Sequence, residues 1–210
     1  MRILLTSGPT RQYLDPVRFI SNASSGTMGR ELAQAILDRG HQVVIVSGPV
    51  KVTYPDAAEV INVETTEQML AECLQQFPDC DGLIGVAAPC DYRPVEVASH
   101  KIRKTGEPLV ITLVETEDIV ATMGKQKRAD QWTLGFALET EDAHFRAIGK
   151  LQRKLCDAVV INSASAIDSD NNSIEIVNAD EQIVMKAEGS KADVAARIMD
   201  YVERNLKRGT

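Results

Sequence analysis

The sequence predicts an α/β fold: a doubly wound, mostly parallel sheet with an antiparallel hairpin at its edge near the C-terminus. Short, almost wholly apolar runs, such as Arg2-Ile3-Leu4-Leu5-Thr6 and Leu83-Ile84-Gly85-Val86-Ala87-Ala88, recur along the chain, as strands covered on both faces require. Between them lie stretches with apolar residues at helical spacing, the alternation that builds parallel sheets. Only near the C-terminus do apolar and polar residues alternate one by one.

The first strand, 2–6, opens into a long polar passage, and a helix starts at Met28, with Leu32 and Ile36 at four-residue spacing and Gly40 as its stop. Strands follow at 41–47 and 60–63. Thr65 or Thr66 caps a helix through Met69, Leu70, Cys73 and Leu74, with Glu67 in its first turn. The run 81–88 is a fourth strand. A polar flap at about 92–108 contains Lys101-Ile102-Arg103-Lys104, and 109–114 returns as a strand. Glu117-Asp118 starts a helix to about Arg128, 132–137 is a strand, and a helix runs through Phe145, Ile148, Leu151 and Leu155. The strand 158–161 is followed by the hairpin of 173–177 and 182–185. A closing helix carries Val194, Ile198, Val202 and Leu206, so that hairpin and helix occupy about 173–207 of one domain spanning 1–210.

Composition bounds the function. The 210 residues are 44% hydrophobic, enough for a substantial core. A net charge of −7 argues against broad nucleic-acid binding but leaves room for a small anionic ligand held by local lysines. Cys73, Cys80, Cys90 and Cys156 form no C-x-x-C pair, which reads as free thiols in a reducing compartment. Met1 runs straight into a strand and no apolar run approaches about 20 residues. A cytoplasmic protein that binds neither membrane nor nucleic acid is expected.

In such folds ligands bind beyond the carboxyl ends of the strands, and the long loops 7–25, 89–108 and 162–172 all follow strands. The first spans 19 residues, against about 2–6 for an ordinary strand-to-helix loop. It ends in Ser24-Ser25-Gly26-Thr27-Met28-Gly29, a candidate phosphate cradle at the positive end of a helix, and equally an N-cap with a close-packed glycine. Asn22 stands ahead of it, either as a donor to an anionic intermediate or as a turn residue. Asp91 ends a strand, placed to read a base or sugar or to close a turn with Tyr92. Lys101, Arg103 and Lys104 could screen phosphates from the flap or form a solvated charge run. Lys150 and Lys154, four apart, share a helical face. His41, His100 and His144 lack partners in the pattern, and no Ser or Cys nucleophile has a base beside it. Neither G-x-G-x-x-G nor G-x-x-x-x-G-K-[ST] occurs.

The blocks Gly8-Pro9-Thr10-Arg11, Leu14-Asp15-Pro16-Val17-Arg18-Phe19-Ile20-Ser21-Asn22-Ala23-Ser24-Ser25-Gly26, Ala87-Ala88-Pro89-Cys90-Asp91-Tyr92-Arg93, Lys101-Ile102-Arg103-Lys104, Gly135-Phe136-Ala137-Leu138-Glu139-Thr140, Lys150-Leu151-Gln152-Arg153-Lys154 and Ser169-Asp170-Asn171-Asn172 closely resemble the phosphopantothenate–cysteine ligase (phosphopantothenoylcysteine synthetase) family over nearly the whole chain. The resemblance implies a Rossmann-like ligase domain of coenzyme A biosynthesis. In it CTP activates 4′-phosphopantothenate as an acyl-cytidylate with release of pyrophosphate, and the amine of cysteine displaces CMP. It implies Asn22 and Lys101 as catalytic residues. It implies nucleotide contacts from Gly85, Val86, Ala87, Asp91, Phe136, Lys150 and Lys154, beside Gly8, Ser24, Ser25 and Gly26 of the cradle. It further implies Mg2+ with the triphosphate, ATP as a possible replacement for CTP, and a homodimer with shared sites. A flavin-dependent decarboxylase is a possible partner, while this domain needs no FMN; the metal ligands are unassigned. Three positions depart from the family pattern: Thr27 for a lysine, Cys90 for a small residue, and the acidic 114–117 for a Lys-Asn-Pro run. The alternatives are a short-chain-type NAD(P)-dependent oxidoreductase, which the absent G-x-G-x-x-G and Tyr-x-x-x-Lys disfavour, and a nucleotide-binding module without turnover.

Overall fold

The computed structural model describes residues 1–139, 143–163 and 171–207, the side chains at 138, 139, 143, 144, 163 and 171 excepted. In chain order, β1 (Arg2–Ser7), β4 (Gln42–Ser47), β5 (Glu59–Asn62), β6 (Gly82–Gly85), β9 (Trp132–Glu139) and β10 (Ala158–Ser163) run parallel in one sheet. Two antiparallel strands, β11 (Asn171–Asn178) and β12 (Ile183–Ser190), extend it beyond β10. The order across the sheet is β12-β11-β10-β9-β6-β1-β4-β5. Numbered among themselves, the parallel strands lie 3-2-1-4-5-6, the doubly wound order whose reversal leaves a crevice between the first and fourth strands, here β1 and β6.

The apolar runs become strands because both faces are covered. Ile3 and Leu5 face α1 (Thr27–Asp38) and α5 (Lys191–Tyr201), with Leu32, Ile36, Val194, Ile198 and Met199 buried between. Leu4, one residue out of phase, faces α2 (Thr66–Gln76) and α3 (Ile119–Gln126) through Met69, Leu70, Cys73 and Met123. On that face α4 (Ala143–Lys154) packs Ala147 and Leu151 over Ala137 and Val159. Thr65 caps α2 in a reciprocal box with Gln68, and Gly40, at φ +72°, ends the turn after α1.

Several expectations are corrected. The long passage after β1 is not bare loop: it contains the hairpin β2 (Arg11–Asp15) and β3 (Arg18–Ser21). The fourth strand stops at Gly85, because Val86 to Ala88 leave the sheet to meet Gly8 and Pro9. The run 109–114 does not join the sheet. Only β8 (Leu113–Glu115) pairs, with β7 (Tyr92–Pro94) in a separate ribbon, and Leu109, Val110 and Ile111 are exposed although apolar. Phe145 is also exposed, and Leu155 lies past α4 with φ 52°, so neither belongs to the buried face of that helix. The closing helix ends in a wide π turn, Val202–Leu206. Thr140, Ser169 and Asp170, the side chain of His144, and most of the third loop fall outside what the structure describes.

Candidate active site

Two glycines in the left-handed region shape the start of the site. The chain leaves β1 at Gly8, φ +73°, and enters α1 at Gly26, φ +77°; a Cβ on either would press against Val50. Gly26 occupies the cap position of α1 without a side chain to bond the first-turn amides. Ser25 Oγ instead lies 2.8 Å from Thr27 Oγ1 and accepts the Thr27 N–H at 3.3 Å. The next amides of the first turn have no intrahelical acceptor, which makes this end of the helix a ready anion site. Gly29 must be glycine for a packing reason: a Cβ there would stand 2.0 Å from Ser7 Oγ. The two readings of Ser24–Gly29 are therefore compatible.

Asn22 spans the crevice. Its Nδ2 donates to the Pro89 carbonyl at 2.9 Å and the Ala88 carbonyl at 3.3 Å, tying the insert after β1 to the loop after β6. In this structure the Asn22 amide therefore bonds backbone carbonyls of the facing loop. Beneath lies a buried polar knot that the sequence did not reveal. Thr10 Oγ1 accepts the Cys90 N–H at 2.8 Å and meets Thr66 Oγ1 at 2.8 Å, while Thr66 and Thr116 hydroxyls donate to the Cys90 carbonyl. The Cys90 thiol donates to the Thr10 carbonyl, and burial pushes its pKa up. The residue thus sits in the wall as a small hydrogen-bonding group.

Two cavities open at the crevice. The larger, 1140 Å³, lies between the start of α1 and the start of α5, and its lining includes Gly8, Ser24, Ser25, Gly26, Lys150 and Asn162. The smaller, 490 Å³, lies toward α3 and is lined by Gly85, Thr116, Glu117, Asp118, Arg153 and Lys154 among others. Ala87, Pro89, Asp91 and Phe136 line both. The sequence-predicted residues other than Lys101 therefore come together in two adjoining compartments. Lys150 and Lys154, expected on one face, serve different compartments.

The electrostatics are mixed. Lys154 Nζ pairs with Asp118 Oδ2 at 2.9 Å, and Asp118 Oδ1 also caps α3 by accepting the Ala121 N–H. The α5 start brings Ser190 and Lys191 to the larger cavity, and the Asn162 side-chain oxygen is buried there without a hydrogen-bond partner among the described residues. Neither was found from sequence, because α5 and β10 meet α1 only through the sheet order. Lys101 is exposed and lines neither cavity of its own chain. Among the described residues no three His, Cys, Asp or Glu side chains converge on a metal position, and no helix is long and apolar enough to cross a membrane.

The model of the DNA/pantothenate metabolism flavoprotein C-terminal domain matches residues 1–206. The chain belongs to this family. It is 36% identical over 213 residues to a coenzyme A biosynthesis bifunctional protein CoaBC from Haemophilus influenzae, covering 99% of this chain and 52% of that protein. It thus spans about half the length of the curated relatives it matches. A crystal structure of the C-terminal domain of a CoaBC protein superposes with a TM-score of 0.83 at 34% identity, covering 98% of this chain and 95% of that one. A Cab2 variant in complex with phosphopantothenate-cysteine shares the fold, with a TM-score of 0.80 at 17% identity over 96% of this chain and 85% of that one. In this family domain, the Ser24–Gly29 turn, the Ala87–Asp91 stretch and Phe136 are the parts that meet at the strand-order reversal.

Proposed function

We propose that this domain is a phosphopantothenate–cysteine ligase that activates 4′-phosphopantothenate with CTP, or with ATP in its place, and passes the acyl group to the amine of cysteine. The observation that carries the reading is the pair of compartments joined at Ala87, Pro89, Asp91 and Phe136. An acyl-nucleotide has two arms on one phosphoryl centre, and two adjoining cavities with a shared wall suit it. The uncapped start of α1, with Lys150 nearby, holds phosphate; Asp91 and Phe136 at the junction hold the nucleoside against the reacting centre. The motif blocks of the ligase family and membership of the pantothenate-metabolism family support the same reading.

Activation brings a carboxylate against a phosphate. Two unit charges of like sign about 4 Å apart repel by roughly 4 kcal/mol at an effective dielectric of about 20. The chain offsets this with helix-end amides, Lys150 and Lys154, and loss of one such contact costs about 10²–10³ in rate. Magnesium would supply further neutralisation of the triphosphate, and Asp91 at the junction is the carboxylate that would help hold it. The second half-reaction needs the cysteine amine to reach the acyl carbon while water is kept out. Asn22, which stitches the two loops over the junction, sets that enclosure, and Lys101 reaches a site from the flap.

The domain works as a homodimer in this proposal. Lys101 lines neither cavity of its own chain, so it serves the neighbour's. The exposed apolar surface of Val95, Val97, Leu109, Val110 and Leu113 is the face the neighbour covers. FMN chemistry falls to the other half of the longer relatives, and a decarboxylase is the natural partner for the product. The test is pyrophosphate release by the 210-residue chain with CTP or ATP, Mg2+, 4′-phosphopantothenate and cysteine. Product that requires all components supports the ligase. Tight CTP binding with no turnover under either nucleotide overturns it in favour of a binding module. In Asn22→Ala the acyl-nucleotide accumulates while product formation falls by about 10² or more.

A further inference from the structure

The Asp15 side chain is fully buried, although the hairpin turn that carries it is at the surface. Its Oδ1 accepts the N–H groups of Val17 and Arg18, both at 2.9 Å, which closes the turn between β2 and β3. Its Oδ2 does something the turn does not need. It accepts the N–H of Ile102 at 3.1 Å, eighty-seven positions along the chain, and the Arg18 guanidinium as well. Arg18 Nη1 in turn donates to the Ile102 carbonyl at 3.1 Å. Both peptide groups of Ile102 are thereby held by one ion pair, buried at its Asp15 end and open to solvent at Arg18. A third stitch lies four residues earlier, where Ala98 N–H donates to the Leu14 carbonyl at 3.0 Å.

The Ile102 N–H belongs to the peptide plane that joins it to Lys101. Fixing that plane fixes the backbone from which the Lys101 side chain departs. On the far side of the clamp the residues from 103 to 112 are all exposed, and neither β7 nor β8 includes them. Ile102 has Lys101 before it and Arg103 after it, and the Asp15 carboxylate holds the peptide on the Lys101 side.

We propose that Asp15, acting with Arg18, is a positioning residue for Lys101: the buried carboxylate clamps the Lys101–Ile102 peptide to the β2–β3 hairpin and so aims the flap lysine at the reacting phosphate. The role of Lys101 rests on the ligase reading above; the clamp does not. The carboxyl is kept ionised by its surroundings: burial alone would raise its pKa, but the Val17, Ile102 and Arg18 donors outweigh it and bring it to about 2.

Asp15→Asn separates the two jobs of the side chain. Its amide oxygen still accepts from Val17 and Arg18, so the turn is kept. Its NH2 faces two donors, the Ile102 N–H and the Arg18 guanidinium, so the clamp is lost. Hydrogen exchange on the 98–108 segment, read without substrate, should speed up by about tenfold or more while the central strands stay protected. The kcat should fall by about 10², the cost of misplacing a group by about 1 Å, with little change in the KM for nucleotide. The double variant Asp15→Asn with Lys101→Gln should be no slower than Lys101→Gln alone. Unchanged exchange at 98–108 overturns the clamp. Faster exchange with wild-type kcat, or losses that simply multiply in the double variant, overturns the positioning role. A wild-type chain with no turnover removes the ligase reading, and with it the role given to Lys101, while the exchange still decides the clamp. Should Asp15→Asn not fold, Arg18→Gln removes the bond to the Ile102 carbonyl and is read in the same way.

Discussion

At the scale of single residues, the cysteines show how burial governs chemistry here. All four are buried free thiols, and for each the first cause of its shift is loss of water around the thiolate. Cys73 is pushed up to about 12 and Cys80 and Cys156 to about 11, against about 8.5 for a free thiol. Below about pH 7.5 folded and unfolded chains both carry neutral thiols, and the fold suffers no penalty. As pH rises through about 8.5 toward 11 the unfolded chain ionises first, so stability falls with pH in that window. At pH 8 iodoacetamide should leave the folded protein unlabelled while urea-unfolded chain takes four labels. The melting temperature should decline steadily from pH 9 to pH 10.5. Rapid labelling of Cys90 in the folded state would place that thiol in an accessible cavity rather than in the Thr10 knot.

At the scale of elements, the parallel strands and their covering helices were legible because their signal is local and strong. Ile3, Leu4 and Leu5 in a row have no polar face to give to water, and Leu32 and Ile36 repeat at the helical period. The hairpin β2–β3 was not legible. Gln12 and Asp15 are buried polar residues that look like loop in sequence, and their partners Glu67 and Ile102 are far along the chain. The run 109–114 misled for the converse reason: apolar content signals burial, but not which surface does the burying. The cradle was readable from Ser24–Gly29, whereas Asn162, Ser190 and Lys191 reach the same cavity only through the strand order. A close approach between β6 and β9 was equally hidden. Gly82 lies against the ring of Trp132, and a Cβ there would stand 2.1 Å from Cε2 of a ring that is 1% exposed. Gly82 has an ordinary φ, so Gly82→Ala adds overpacking without backbone strain. Loss of about 1–3 kcal/mol is expected in urea unfolding, with a shifted Trp132 emission in the folded state. Wild-type stability in this variant would mean that the ring moves aside at no cost.

At the scale of the whole molecule, the distribution of apolar surface conflicts with a lone chain. The sheet exposes large apolar residues only on its edge strands, at Val60, Ile183 and Val184 among the described residues, yet Val95, Val97, Leu109, Val110, Ile111, Leu113 and Val114 are exposed together on the flap side. Val95, Val97, Leu109, Val110 and Ile111 line a 490 Å³ groove that also takes in Leu14 and Ile102, next to the Asp15 clamp. Large contiguous apolar patches mark interaction surfaces in soluble proteins. In the homodimer proposed above, a second copy of this chain would cover this face, with one subunit's Lys101 reaching the other's crevice about a twofold axis. Val110, 86% exposed, is the clearest probe. A buried unpaired carboxylate at an interface costs several kcal/mol, so Val110→Asp should convert a dimer to monomer in light scattering while the melting temperature of the monomer's core changes little. Turnover should fall with the dimer and return as protein concentration is raised above the weakened dissociation constant. A Val110→Asp protein that stays dimeric places the contact elsewhere, and one that is monomeric and fully active means that each chain's own flap completes its site.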